Sequence, residues 1–305
     1  MRVVRPVSIT DDMVLSTTLV EAHDTWSGSV TYAAADRVID SAGRWTWQSL
    51  QDANVGHQPP ADDSIKADDW WVRVGASQRR APFDGEVSVQ AAASGRMSLT
   101  IRPGPIGALG LFGLDGAGIL RATLRRPSEG VVWQHESGLY ASQIDTMYEF
   151  FYAPRDYARE AVVVDIPAFA DGELTIELEG ADTLKLGELV VGMPYDLGDV
   201  LMGASLGISD FSRRERDDFG RYTLVKRDIA RTMRLPLWFT PERLGKVYLL
   251  YRVLGSVPCM WIPSAERRYS SMALLGIYTD MTIDVPSRTI NRCTLALEGL
   301  PEPSA

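Results

Sequence analysis

Residues 26–75 read WSGSVTYAAADRVIDSAGRWTWQSLQDANVGHQPPADDSIKADDWWVRVG, and they hold five of the chain's eight tryptophans (Trp26, Trp45, Trp47, Trp70, Trp71) together with Tyr32. Short β-like runs surround them: Thr31-Tyr32, then Arg37-Val38-Ile39, then residues 44–50, then residues 70–74. Ser41-Ala42-Gly43 is a hairpin turn, and residues 52–69 form a polar loop with Gly56, Pro59 and Pro60. Such rings bury roughly 150–250 Å² each, so a few of them hold together a domain too small for an aliphatic core. The same rings can instead be flat faces offered to a ligand, most often a sugar. Trp26, Tyr32 and one of Trp70/Trp71 read as core. Trp45 and Trp47 share strand parity and face one side. The candidate sugar-stacking residues are therefore Trp45, Trp47 and Trp71.

The rest of the chain extends this β character. At 305 residues it is long enough for two or three domains. Eight runs (86–90, 97–102, 106–114, 118–126, 131–135, 161–166, 173–178 and 184–191) are separated by Gly, Pro, Ser and Asp. They predict a β-sandwich of jelly-roll type, similar to galactose-binding-like domains in pattern only. Beyond it, residues 200–208, 221–227, 259–262, 274–283 and 291–297 have strand character. Thr240-Pro241-Glu242 starts a helix, with Leu244, Val247, Tyr248, Tyr251 and Leu254 on one apolar face and Gly255 at its end. The expected fold is mainly β: an arm (1–20), an aromatic-cored module (21–77), a sandwich (78–195) and a C-terminal α+β domain (196–305). The arm alternates weakly, as an extended segment or an edge strand, tied to its own fold or to a neighbour.

Charge and composition exclude several classes. The net charge is −9, which argues against a general nucleic-acid binder. Residues 1–195 carry 16 Lys/Arg and 27 Asp/Glu, net −11, whereas residues 196–305 carry 15 and 13, net +2. That division suits head-to-tail contacts between copies. Cys259 and Cys293 lack metal or CxxC spacing, and with three His they predict no metal centre and no disulfide framework. The opening MRVVRPVSITDDM lacks the apolar stretch of a secretory leader, and no apolar run reaches about 18 residues, so no membrane span is expected. The glycines of residues 104–118 lack the spacing and following helix of a phosphate loop. No GxSxG or HExxH occurs, so no catalytic residue is assigned, and no cofactor is implied. A glycan hydrolase would need only two placed carboxylates and is kept as a minor alternative.

Two further stretches invite a role. Tyr140, Tyr148, Phe150, Phe151, Tyr152 and Tyr157 lie in a segment of about 25 residues between strands, long enough to be functional or interfacial. They are the candidate protein-contact residues. The segment SDFSRRERDDFGRY (residues 209–222) opposes Arg213, Arg214 and Arg216 with Asp210, Glu215, Asp217 and Asp218, and reads as a solvated loop or an inter-subunit salt-bridge surface.

The order Trp26, Tyr32-x3-Asp36-x-Val38, Gly43, Trp45 or Trp47, Asn54-x-Gly56-x2-Pro59, Trp70 or Trp71, Gly75 resembles the small carbohydrate-binding modules of the chitin-binding type (families 5 and 12). Where members that bind chitin carry adjacent exposed aromatics, this chain has Leu50, Gln51 and Asp52. Similar modules occur in tail proteins of tailed bacteriophages, and an opening arm running straight into such a module resembles that group. The resemblance implies a virion tail or baseplate protein, made in the host cytoplasm and assembled with other tail proteins and copies of itself in threefold or sixfold order, with host-surface glycan as a further contact. A protein whose main task is glycan recognition is the alternative.

Overall fold

The structure is a computed structural model that describes residues 1–140, 146–152, 156–216, 220–264, 266, 271–285 and 288–303, without the side chains of Glu149, Phe150 and Arg214. In chain order the elements are β1 (Arg2–Val4), β2 (Val14–Thr17), β3 (Arg37–Ile39), β4 (Trp45–Ser49), β5 (Trp71–Ala76), β6 (Ala91–Ala93), β7 (Arg96–Ile101), β8 (Ala108–Phe112), β9 (Asp115–Arg126), β10 (Gly130–Gly138), α1 (Met147–Tyr152), β11 (Glu160–Val164), β12 (Glu173–Leu186), β13 (Glu188–Gly192), β14 (Pro194–Asp196), β15 (Asp199–Val200), β16 (Ser205–Asp210), β17 (Arg213–Arg216), β18 (Tyr222–Val225), β19 (Ile229–Phe239), α2 (Leu244–Leu254), β20 (Cys259–Ile262), β21 (Leu274–Asp284) and β22 (Asn291–Gly299). The fold is mainly β, as expected, and its strand ladders are antiparallel.

Two large sheets pack on either side of a short middle one. The outer sheet runs β10-β9-β12-β7-β2, with β6 added on β12. The middle sheet is β11-β8-β13. The C-terminal sheet runs β14-β1-β20-β21-β22-β19-β15, with β16 also on β19. Alternation of side chains explains how the middle sheet serves two cores. Leu109, Leu111, Ala161, Val163, Leu189 and Val191 join the core shared with the outer sheet. Ala108, Phe112 and Val190 turn the other way, against Val4, Met260, Ile262 and Leu275 of the C-terminal sheet. A strand buried on both faces reads as a continuous apolar run, which is the pattern of ALGLF in β8.

The opening arm does not stand apart. Val3 and Val4 of β1 are buried between β14 and β20, while β2 pairs with β7 in the outer sheet. Residues 5–13 cross between them, and the Val7 N–H donates to the Val191 carbonyl at 2.9 Å. The expected boundary at 195/196 likewise falls inside β14, which pairs with β1. Residues 86–90, expected as a strand, form a turn region, and the strand that follows is β6.

The longest element absent from the sequence reading is β19. Its buried positions Met233, Leu235, Leu237 and Phe239 alternate cleanly, but Pro236 interrupts the run. Proline is tolerated because the Pro236 carbonyl, which points to the same side as its missing N–H, accepts from Leu201. That residue lies in the gap between β15 and β16, where no second bond is required.

Helix α2 buries Val247, Tyr251 and Leu254 against the C-terminal sheet, whereas Tyr248 is exposed and Leu250 takes a half-buried place. Gly255 ends the helix in an extended conformation, and Ser256 takes the left-handed one, φ 59°. Cys259 and Cys293 are both free and buried. Their partners on β21 are Gly276 and Ile283, on the order of 20 Å apart along the strand, too far for a disulfide.

Gly110 is what lets the middle sheet approach β20. A Cβ built there would lie 2.3 Å from Met260 Sδ and 2.9 Å from Phe112 Cε2. Gly110→Val, which strand propensity alone favours, is therefore expected to destabilise the protein by about 1–3 kcal/mol through overpacking. A denaturant melt with a lowered midpoint checks it.

Candidate assembly surface and the aromatic module

The module is the sheet β3-β4-β5, whose core is Tyr32, Val38, Trp47 and Trp71 with Trp26, Trp45 and Trp70 packed around it. Trp47 and Trp71 are both 0% exposed, so neither can stack on a sugar, and those two expectations are corrected. Tyr32 meets Trp71 edge to face at 5.5 Å, and the Trp71 indole N–H donates to the His57 carbonyl at 2.8 Å. Trp45 and Trp47 face the same cluster, as parity requires, although a bulge in β5 separates their partners. Trp45 is half-buried at its rim. The Arg73 guanidinium lies 4.2 Å over its ring, and its indole N–H donates to Asp63 Oδ1 at 2.6 Å. His57 stacks on Trp70 at 3.7 Å, a pairing the sequence reading did not contain.

The module's many aspartates are mostly turn caps. Asp68 Oδ1 accepts from the N–H groups of Trp70 and Trp71, Asp36 from Ala33, Asp40 from Arg44 and Asp52 from Ala34. Asp52 thus holds a turn, and Gln51 donates to the Asp69 carbonyl.

The aromatic segment after β10 is partly seen. Tyr140 and Tyr157 form an isolated bridge, with rings 5.9 Å apart, at its two ends. Between them α1 exposes Met147, Tyr148, Phe151 and Tyr152. The Phe150 side chain lies outside the described residues.

The segment expected as a charged loop is instead the far half of one long hairpin. The β16–β19 ladder runs from Ser205↔Arg234 to Asp210↔Ile229, and β17–β18 continues it from Arg213↔Val225 to Arg216↔Tyr222. Asp217 and Asp218 lie outside the described residues. Among the described residues, strands β17 and β18 pair only with each other. Tyr222 (71% exposed), Leu224 (63%) and, on β16, Leu206 and Ile208 offer apolar side chains to solvent, and Met202 at the root is fully exposed. The root is anchored by an ion triad. Arg231 of β19 reaches Glu160 at 3.2 Å and Glu302 at 2.7 Å, and all three are largely buried. Burial pushes the Glu160 carboxyl up despite Arg231 beside it.

Among the described residues no group of three or more His, Cys, Asp or Glu is placed to hold a metal ion, and no helix is long and apolar enough to cross a membrane.

Two variants separate packing from surface. Trp47→Ala is expected to cost about 3–5 kcal/mol and to unfold the module, read as loss of near-UV tryptophan dichroism. Arg231→Met leaves two carboxylates without their cation and is expected to cost about 3 kcal/mol, read by chemical denaturation. Comparison with family models, curated proteins and solved structures finds no match to this chain.

Proposed function

We propose that this chain is a structural subunit of a bacteriophage tail, in the baseplate, tail-tip or fibre-attachment region, and that its work is assembly. The observation that carries this reading is the hairpin of β16–β19, extended by β17 and β18. A two-stranded ribbon alone is marginal in water, and this one exposes apolar residues on strands whose distal pair, β17 and β18, is hydrogen-bonded only to itself among the described residues. Such a surface fits a neighbouring subunit better than solvent. The exposed aromatics of α1 are a second patch of the same kind. The resemblance of residues 26–75 to modules in tail proteins supplies the setting, and symmetric threefold or sixfold order with copies of itself and other tail proteins follows from that setting.

Glycan recognition by the module ranks second. With Trp47 and Trp71 buried, it rests on the exposed His57 stacked on Trp70 and on the rim of Trp45, which Arg73 already covers.

The purified chain is expected to self-associate in analytical ultracentrifugation, and the paired change Ile208→Asp with Leu224→Asp is expected to weaken that association at least tenfold without lowering the thermal midpoint by more than a few degrees. Mass spectrometry of purified virions is expected to find the chain. A monomer absent from virions overturns the proposal.

A further inference from the structure

A cleft of about 310 Å³ opens where the crossing arm (Arg5, Pro6, Val7, Ser8, Ile9), the turn at Arg80–Gly85 and the start of β13 meet the C-terminal sheet. Two carboxyls stand in it. Glu188, the first residue of β13, is only 7% exposed, and its Oε2 accepts from the Gly85 N–H at 2.9 Å. Asp84, half-buried, accepts from the Glu86 N–H at 2.7 Å. The charged groups around the pair are few. Arg80 is the cation of the turn, but its Nε is buried without a partner and its Nη1 is drawn to Asp11 at 3.5 Å. Glu86 adds a like charge from the same turn, and Arg5 lines the cleft from the arm. The C-terminal side contributes Val257, Pro258, Leu275 and Leu300, none of which titrates.

The turn that carries Asp84 also carries Val87, which is buried in the core joining the middle and C-terminal sheets. From this placement we propose that Asp84 and Glu188 form a proton-held latch: protonated, they let the turn close on β13 and keep Val87 in the inter-sheet core, and deprotonated, they loosen that junction. Burial strips both carboxyls of water, and a like charge beside each (Glu86 beside Asp84, Asp84 beside Glu188) adds to that cost. Together these outweigh the N–H groups of Glu86 and Gly85 that favour the charged forms, so the neutral form is favoured. Accordingly burial pushes Asp84 up to about 7 and raises Glu188 well above the usual carboxylate range. The sign follows by linkage. A carboxyl whose folded pKa is raised gives stability that is complete below its unfolded value near 3.8 and lost as pH rises to about 7. The latch is therefore closed in mild acid and weakened at and above neutrality, and its operation is independent of what the hairpin binds.

Thermal melts and hydrogen exchange of the full chain at pH 5 and pH 8 test it. The midpoint is expected to fall by roughly 5–10 °C between the two, and protection of residues 84–90 is expected to drop beyond the change in intrinsic exchange rate. Asp84→Asn and Glu188→Gln are each expected to remove at least half of the midpoint fall, whereas Glu160→Gln, at the other buried carboxyl, leaves more than half. A fall retained in full by both latch variants overturns the proposal. Should neither variant fold, wild-type exchange decides: equal protection of residues 84–90 at both pH values overturns it, and selective loss there supports it.

Discussion

The structure depends on a three-stranded sheet that has no solvent face. Every residue of β8 is buried, and the strands beside it send alternate side chains into two different cores. A sheet in that position cannot be wide, because nearly every place on its strands must be apolar, the exceptions being Glu160 and Glu188 at strand starts. It also cannot be bulky throughout, because two other sheets must approach within packing distance. Ala108 and Gly110 on the side facing Met260 meet the second demand, and Leu109 and Leu111 meet the first. The crossing arm, the Val87 turn and β14 are then all obliged to lie along the edges of this layer.

Around that layer, polar residues are largely occupied with architecture. The aspartates that crowd residues 24–69 hold backbone N–H groups at turns, which a module with only three short strands needs at each reversal. The Arg231 triad closes the corner where β11, β19 and the C-terminal Glu302 meet. Exposed apolar side chains cluster on the α1 segment and the distal hairpin, with others scattered over the surface. The packed body carries the fold, and the exposed apolar side chains of α1 and the distal hairpin contribute little to it.

How much was legible in the sequence depended on how local each signal was. Strands with clean alternation were visible, such as β12, and so was α2 from its apolar spacing, although Thr240-Pro241-Glu242 opens a single 3-10 turn (Pro241–Arg243) ahead of it and not α2 itself. The aromatic core of residues 26–75 was visible too, but not which rings it buries. Parity places Trp45 and Trp47 on one side, yet only the bulge in β5 and the cover of Arg73 make one a rim and the other a centre. β19 was hidden by Pro236, because its tolerance comes from a gap in a neighbouring strand that no local pattern records. The strands within residues 209–222 are hard to read from sequence because their charged residues follow no apolar alternation, a pattern equally suited to a solvated loop or a salt-bridge surface.

By itself the sequence determined the β class, the aromatic module, the main helix and the absence of a metal or disulfide spacing, since each follows from composition or from periods of two and 3.6 residues. Tertiary structure alone decided that the opening arm splits between an interior strand, β1, and an edge strand, β2, that Trp47 and Trp71 are core, and that Asp84 and Glu188, more than a hundred residues apart, share one cleft. Burial and charge proximity are properties of chain segments brought together from a distance, and no local pattern in the sequence encodes them.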